Sequence, residues 1–455
     1  MLKNVRAARQ FLCLAAAAGF LAAGPAAAQE SAVAIVDARI IPIVGDEIPR
    51  GTLVVRGGRI VAVGPSEDVA APEGATVIDG RGKVVMPGLV DTHSHIGGVA
   101  GADGSAPIQP DVRMIDSINV RDPGFRRAVA GGLTTLNIMP GSGHLSSGQT
   151  VYAKMRPARS IEDVLIMDAA GRFMGGLKMA NGTNPMGAPP FGGTRGKNAA
   201  LVRDRFIKAQ EYKRKRDKAE ADGTPDKAPG RDLGLEAIAE CLDGTRIIHH
   251  HTHRADDIMT VLRLQREFGF RVVLHHVSEA WKVADEIAAA GVPCSVIVVD
   301  SPGGKLEAAE LSTESGGILE RAGVKTAFHT DDWITDSRLF LRSAAMAVRA
   351  GMSREGALAA LTIRGAEMLD LGDRVGSLEP GKDADFIILG GDPFSVYTKV
   401  EQTWVEGVRV FDRSVADDRL HAVGGYGAGD PMRPYMCCEG GESTFGFGGK
   451  QWEAR

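Results

Sequence analysis

One phrase recurs along the middle of the chain and limits what it can become: a short apolar run that ends on polar residues, then an amphipathic stretch halted by glycine. GTRIIHHH is followed by DDIMTVLRLQREFG, and FRVVLHH by SEAWKVADEIAAAG. Ile258, Val261, Leu262, Gln265 and Phe268 fall at helical spacing in the first stretch, as do Trp281, Ala284, Ile287 and Ala288 in the second, with Gly269 and Gly291 as stops. Strands alternating with helices predict a parallel sheet covered by helices. The segment concerned, residues 86–371, is close to the roughly 250 residues typical of a (β/α)8 barrel. No glycine-rich phosphate loop follows an early strand, so a TIM-type barrel is expected rather than an open doubly wound sheet.

The flanks read differently. Residues 29–85 alternate β-branched runs (AVAIVDARIIPIV, GTLVVRGGRIVAVG) with glycine and proline, and residues 372–415 (GSLEPGKDADFIILGGDP, TKVEQTWVEGVRVFD) repeat the pattern. The expectation is a small composite β-sandwich made from both flanks, with the barrel inserted between them. GTPDKAPGR, from Gly223, marks a surface loop closing an inserted charged helix that starts near Ala199. Residues 416–455 form a glycine-rich tail carrying Cys437 and Cys438, adjacent and poorly placed to bridge each other. Residues 1–28 have the form of a secretory signal peptide: Lys3, Arg6 and Arg9, an apolar run from Phe11 to Ala23, then Ala26-Ala27-Ala28 before Gln29. A periplasmic or secreted protein with no membrane span after signal removal is expected. A net charge of -4 without a basic block gives no reason to invoke nucleic acid.

The chemistry is carried by histidine. VVMPGLVDTHSHIGG closes a strand on His93 and His95, and residues two apart on a strand share a face, so both imidazoles can address one cation. RIIHHHTHR ends on His249, His250, His251 and His253, RVVLHHVSE on His275 and His276, and VKTAFHTDD on His329, Asp331 and Asp332. Nine of the 11 histidines thus lie at or beside predicted strand ends, the barrel face that carries active sites. Imidazoles with a carboxylate suit zinc and similar divalent ions. Strand alternation leaves the register open, with His250 and His253 competing with His251, His275 with His276, and Asp332 with Asp331.

With VVMPGLVDTHSH, HTHRADDI, LHHVSEA, HTDD and VGSLEPGKDADFIIL, nearly the whole mature chain resembles the amidohydrolase superfamily, in its imidazolonepropionase-like and prolidase-like branch. The resemblance implies His93, His95, His251, His276 and Asp331 as metal ligands, with one or two divalent ions, zinc by preference. It also implies Lys178, in GGLKMANGTNP, as a carboxylated lysine bridging two ions, against the alternative of a solvated surface lysine. Thr183 stands where relatives of this type commonly carry a glutamate after the glycine, here Gly182, which favours a mononuclear site if that glutamate is a ligand.

The implied reaction is hydrolysis of a C–N bond in an amide, a peptide-like molecule or a cyclic amide by metal-activated water, with Asp331 shuttling the proton. A mononuclear imidazolone-type ring hydrolase or deaminase is the alternative, and an inactive periplasmic binding protein is the reading from another class. Arg254 is a candidate for a substrate carboxylate, against a structural ion pair with Asp256 or Asp257, and His144 for lining the pocket. The partner is a small-molecule or peptide-like substrate, and the resemblance is compatible with a homo-oligomer.

Overall fold

The computed structural model describes residues 31–99, 103–298, 305–332, 334–425 and 428, so the expected signal peptide, Cys437 and Cys438 lie outside the described residues. Five strands open the fold: β1 (Val33–Ile40), β2 (Ile48–Arg56), β3 (Arg59–Pro65), β4 (Thr76–Asp79) and β5 (Val84–Pro87). Nine follow in the middle: β6 (Leu89–Ser94), β7 (Leu133–Ile138), β8 (Ser146–Gln149), β9 (Val151–Lys154), β10 (Leu177–Ala180), β11 (Ile248–Thr252), β12 (Val272–His276), β13 (Cys294–Val296) and β14 (Thr326–Phe328). Three close it: β15 (Phe386–Leu389), β16 (Val400–Val405) and β17 (Val408–Asp412).

The two flanks do meet, but in one sheet. Its order is β17-β16-β15-β5-β1-β2-β3, with β4 also on β1. β1 holds β2 along one edge and, along the other, first β4 through Val33–Val36 and then β5 through Arg39 and Ile40. The change of partner falls at Asp37, whose φ of 58° interrupts the extended backbone. A bent strand shared by successive partners therefore gives a continuous ladder where the sequence suggests two facing sheets. β5 pairs antiparallel with β15, so Met86 faces Ile387. One face packs Ile35, Leu53, Val85 and Phe386, with the Trp404 ring stacked on Phe386 at 5.3 Å between centroids.

The middle strands form two further sheets, β6-β7-β9 and β14-β13-β12-β11-β10-β8. β10 to β14 run parallel, as does β6 with β7. β9 is antiparallel to β7 and β8 to β10, so the parallel order is broken there. Among the described residues no ladder closes these sheets into a ring. They are joined instead by the Asp331 amide, beyond β14, which donates to the His93 carbonyl of β6 at 2.9 Å.

Helices cover the middle sheets. Of these α1 (Pro123–Ala130) has Pro at its start and Asp122 as its N-cap, α2 (Arg195–Ala221) is capped by Thr194, and α3 (Leu233–Leu242) by Asp232. α4 (Ala255–Phe268) ends at Gly269, whose φ of 76° is the left-handed conformation that stops a helix. The long charged α2 buries Val202, Phe206, Ala209 and Tyr212, and Phe206 packs on the Phe268 ring at 5.1 Å. It therefore shields the sheet on one face and is solvated on the other. Among the described residues no helix is long and apolar enough to cross a membrane, and Cys241 and Cys294 are free and buried.

Candidate metal centre

The strand ends bring the chemistry together. His93 on β6 and His95 just beyond it set their Nε2 atoms 3.2 Å apart, as their shared face requires. Asp331 Oδ1 lies 2.9 Å from His95 Nε2 and 3.4 Å from His93 Nε2, while its other oxygen is 3.7 Å from His276 Nδ1. Lys178, on β10 and fully buried, puts Nζ 3.1 Å from His93 Nε2. His251 belongs to the same assembly through its ring contact with His276, 4.4 Å between centroids. The six residues that the sequence resemblance nominates are thus gathered at one end of the middle strands.

Strand alternation does not decide between His275 and His276 as the sequence reading supposes. His276 has φ 69° and Val277 φ 46°, so the backbone leaves the extended region as β12 ends and the alternation breaks. Both rings therefore turn toward the cluster, at 5.0 and 4.7 Å from the His93 ring. Asp331 is similarly at φ 47°. Non-glycine residues in this region are uncommon and tend to collect at functional sites. Asp332 turns away to accept a hydrogen bond from Ser337 Oγ at 2.8 Å, and burial pushes its carboxyl up to about 6. His250 also turns away. Its Nδ1 donates to the His251 carbonyl at 2.9 Å, and its ring lines a cavity of about 360 Å³ between the strand ends and the first turns of α2 and α4.

Two nominated substrate contacts lie apart. Arg254 caps α4 and gives both Nε and a terminal nitrogen to Asp256 at 2.9 Å, the structural pairing that the sequence left open. His144 is buried against Phe191, 5.4 Å between centroids, and among the described residues no hydrogen bond or ring contact ties it to the imidazole cluster.

Supporting groups orient the rings. His95 Nδ1 donates to the Met139 carbonyl at 2.7 Å, which leaves the Nε2 lone pair facing Asp331. His329 lies between Ser295 Oγ, 2.8 Å from its Nδ1, and His276 Nδ1, 3.1 Å from its Nε2. Asp91 accepts from the His93 amide at 3.0 Å and from the Thr330 amide at 3.1 Å, tying β6 to the segment that carries Asp331. Burial, against these hydrogen bonds, pushes the Asp91 carboxyl up to about 7. A deeper chain runs from the Tyr152 hydroxyl to His249 Nε2 at 2.8 Å and from His249 Nδ1 to His275 Nε2 at 2.9 Å. Sequence reasoning misses Lys305, whose Nζ sits 3.3 Å from His251 Nε2, 2.7 Å from Asn184 Oδ1 and 3.1 Å from Glu307. It follows a proline- and glycine-rich stretch without periodicity, and nothing in its neighbourhood signals its role.

The donor set fits a divalent cation. His93 Nδ1, His251 Nδ1, His253 Nε2, His275 Nδ1 and His276 Nε2 are buried and have no hydrogen-bond partner among the described residues. So many unsatisfied nitrogens in one place is costly for a purely structural cluster. Burial, reinforced by nearby positive groups, holds His93, His251, His253, His275 and His276 well below the ordinary imidazole range, and burial brings His249 and His329 down to about 3. Neutral imidazole is the form that ligates a metal. Three groups bring candidate donor atoms within 4.8 Å of one another: His93, His276 and Asp331; His251, His253 and His276; and His93, His275 and His329.

The chain is similar to proteins of known family. A family model described as the amidohydrolase family matches residues 219–411. The crystal structure of an amidohydrolase from Thermotoga maritima MSB8 is similar over 84% of this chain and 100% of that chain, with 34% identity and a TM-score of 0.77. Amidohydrolase tasK of Hapsidospora irregularis is 28% identical over 409 residues, 82% of this chain, and the match spans only 41% of that relative's length. A 5-methylthioadenosine/S-adenosylhomocysteine deaminase of Symbiobacterium thermophilum is 26% identical over 388 residues, 78% of this chain and 84% of the relative. Strand ends that gather imidazoles around one carboxylate, on a fold shared along the full length of the Thermotoga protein, place this chain in the amidohydrolase family, hydrolases that act on carbon–nitrogen bonds.

Proposed function

We propose that the chain cleaves an amide-like C–N bond, in a peptide-like or cyclic molecule, with zinc or a similar divalent ion held by His93, His95, His251, His276 and Asp331. The observation that carries this reading is the Asp331 carboxylate, buried and 2.9 Å from His95 Nε2, at a strained φ of 47°. In this account the two middle sheets are arcs of one (β/α)8-type barrel. The Asp331 to His93 hydrogen bond marks one seam, and the continuous chain from β8 into β9 marks the other.

A bound divalent ion supplies Lewis acidity, lowering the pKa of water and polarising the scissile carbonyl. The remaining work belongs to the chain. Asp331 takes a proton from the attacking water with one carboxylate oxygen and passes it to the leaving nitrogen, so one group serves as base and then acid. Its unusual backbone conformation and the Asp331 amide's bond to His93 fix where that carboxylate points. Asp91 holds the His93 main chain, and Met139 holds the His95 ring in the tautomer that presents Nε2. Lys178 is the residue that would carry a bridging carboxyl group, and its burial beside His93 Nε2 supports that role.

The test is removal of metal with a chelator, re-addition of zinc, cobalt or manganese, and assay on dipeptides, N-acyl amino acids, cyclic amides and aminated ring compounds. Hydrolysis of an amide-like substrate that disappears and returns with the ion is expected. Activity confined to aminated rings favours the deaminase alternative, and turnover in metal-free protein contradicts the mechanism. The N-terminal run of Lys3, Arg6, Arg9 and the apolar residues after them supports an exported enzyme. Sequencing the N-terminus of protein recovered from the periplasm or medium checks this, with Gln29 the expected first residue.

A further inference from the structure

We propose that the cavity of about 360 Å³ between the ends of β10 and β11 and the first turns of α2 and α4 is a binding site, separate from the metal centre, for a free amino acid with an apolar side chain. None of the metal ligands named above lines it, so its occupancy is independent of the metal-dependent reading.

Two helix stripes and two strand ends build the cavity. Asp256, Thr260 and Arg263 follow one another at helical spacing along α4, as do Arg195, Ala199 and Val202 along α2, so each helix turns one stripe toward it. From the sheet side comes His250, which strand alternation sets on the opposite face of β11 from His249 and His251. Its ring is 2% exposed, and Nδ1 donates to the His251 carbonyl at 2.9 Å. Nε2 of the neutral ring therefore offers a lone pair on the cavity side, with no partner among the described residues. Asn198 lines the same cavity, is also 2% exposed, and has no partner on either Oδ1 or Nδ2 among the described residues. Buried donors and acceptors are nearly always paired, so unpaired ones around a space far larger than a single water point to a polar occupant. The volume lies at the lower end of the roughly 300–1,000 Å³ of small-molecule sites.

The arginines set the charge of that occupant. Arg195 is held by Asp257 at 2.8 Å and Glu307 at 3.2 Å, and Arg203 by Glu267 at 2.7 Å. Arg263 donates to the Thr260 hydroxyl at 2.7 Å and forms no ion pair among the described residues. The Gly196 amide, at the positive end of the 27-residue α2, is also without a partner among the described residues. Such donors recognise a carboxylate. Asp256 and Asp257 stand at the start of α4 and disfavour a dianion such as phosphate, while Asp256 and the His250 lone pair suit an ammonium. Leu145, Ala180, Val202 and Leu264 give the remainder an apolar wall. A carboxylate, an ammonium and an apolar side chain on one small molecule define an aliphatic amino acid. The His251 carbonyl accepts from His250 Nδ1 and, at 3.2 Å, from the Asn181 amide, so the backbone that positions His251 is also the cavity wall.

L-Leucine is the probe, titrated by calorimetry into the purified protein with its metal, and one leucine per chain is expected to bind. Gly196→Leu fills open space, since a Cβ at Gly196 would meet nothing within 4 Å, and should weaken leucine by roughly 100-fold. Arg263→Met, at an exposed position, should weaken it by roughly tenfold or more and keeps the test valid if filling the cavity disturbs α2. Isocaproate, without the ammonium, and isoamylamine, without the carboxylate, should each bind roughly tenfold or more weakly than leucine, and Arg263→Met should not weaken isoamylamine further. His93→Ala, in the metal centre, should leave leucine binding unchanged. Binding lost in His93→Ala but kept in Gly196→Leu places leucine at the metal centre and overturns the assignment. No binding by wild type at millimolar leucine, or inorganic phosphate binding in its place through Arg263, overturns it too; each of these results leaves the metal-dependent reading standing.

Discussion

Lys154→Met should uncover how the flanking sheet is fastened to the inserted strands. Lys154 Nζ, on β9, lies 2.7 Å from Asp383 and 2.6 Å from Asp385, just before β15, and all three side chains are 1% exposed. Methionine keeps the packing and removes the charge. Asp383 retains Arg59 and Arg374, whereas Asp385 keeps the Glu406 amide at 2.8 Å but loses its ammonium partner. Removing one partner of a buried ion pair costs about 3–5 kcal/mol, a large share of the about 5–15 kcal/mol that stabilises a typical native protein. The loss should depend on pH in a defined direction. Burial already holds the Asp385 carboxyl above the ordinary range even though Lys154 pulls it down, so the variant raises it further. A carboxyl whose folded pKa is raised takes up a proton on folding, so acid favours the folded variant. Each pKa unit is worth about 1.4 kcal/mol, so lowering the pH from about 7.5 to about 5.5 should return up to about 2.7 kcal/mol. Urea unfolding followed by circular dichroism at the two pH values measures this, and adding Asp385→Asn to Lys154→Met should recover at least half of the deficit. A deficit below about 1 kcal/mol at the higher pH, or one equal at both, refutes the reasoning.

Three further outcomes follow from particular contacts. Asp331→Asn should lower kcat/KM by about 10²–10⁴-fold in steady-state assays, because the amide cannot accept the proton; retained activity removes Asp331 as the base. Tyr152→Phe leaves His249 Nε2 without its hydroxyl and should cost about 1–3 kcal/mol in urea unfolding; no change would show that the bond contributes nothing. Gly175→Ala would drive a methyl into the Thr150 carbonyl oxygen, a backbone atom that cannot step aside. It should destabilise by about 1–3 kcal/mol or more in thermal unfolding, and wild-type stability would show that the strands can separate there.

What the sequence makes legible here is what period and strand ends can encode. His93 and His95 are readable because residues two apart share a face, and the βα phrase around His251 and His276 is readable because its helices carry regular apolar spacing. The features that escape are those set by single backbone angles or by distant segments. The turn of His276 to φ 69° brings His275 and His276 into one cluster, and no pattern in LHHVSE announces it. The interruption at Asp37 makes one sheet of what reads as two. The short antiparallel β8 and β9, in SSGQTVYAK, lack the length and alternation that would separate them from a loop. Lys305 reaches His251 Nε2, and Ser278 reaches His253 Nδ1, from loops whose local composition carries no periodic signal, so their positions follow only from the assembled fold.

The most direct test of the central claim is elemental analysis of divalent metal in purified mature protein, compared with His93→Ala and Asp331→Asn, with hydrolysis of the responsive amide followed on the same samples. The account predicts at least one zinc-type ion per wild-type chain, a lower content with lost hydrolysis in His93→Ala, and lost hydrolysis in Asp331→Asn. Wild-type protein that hydrolyses the amide while holding no divalent metal would contradict it.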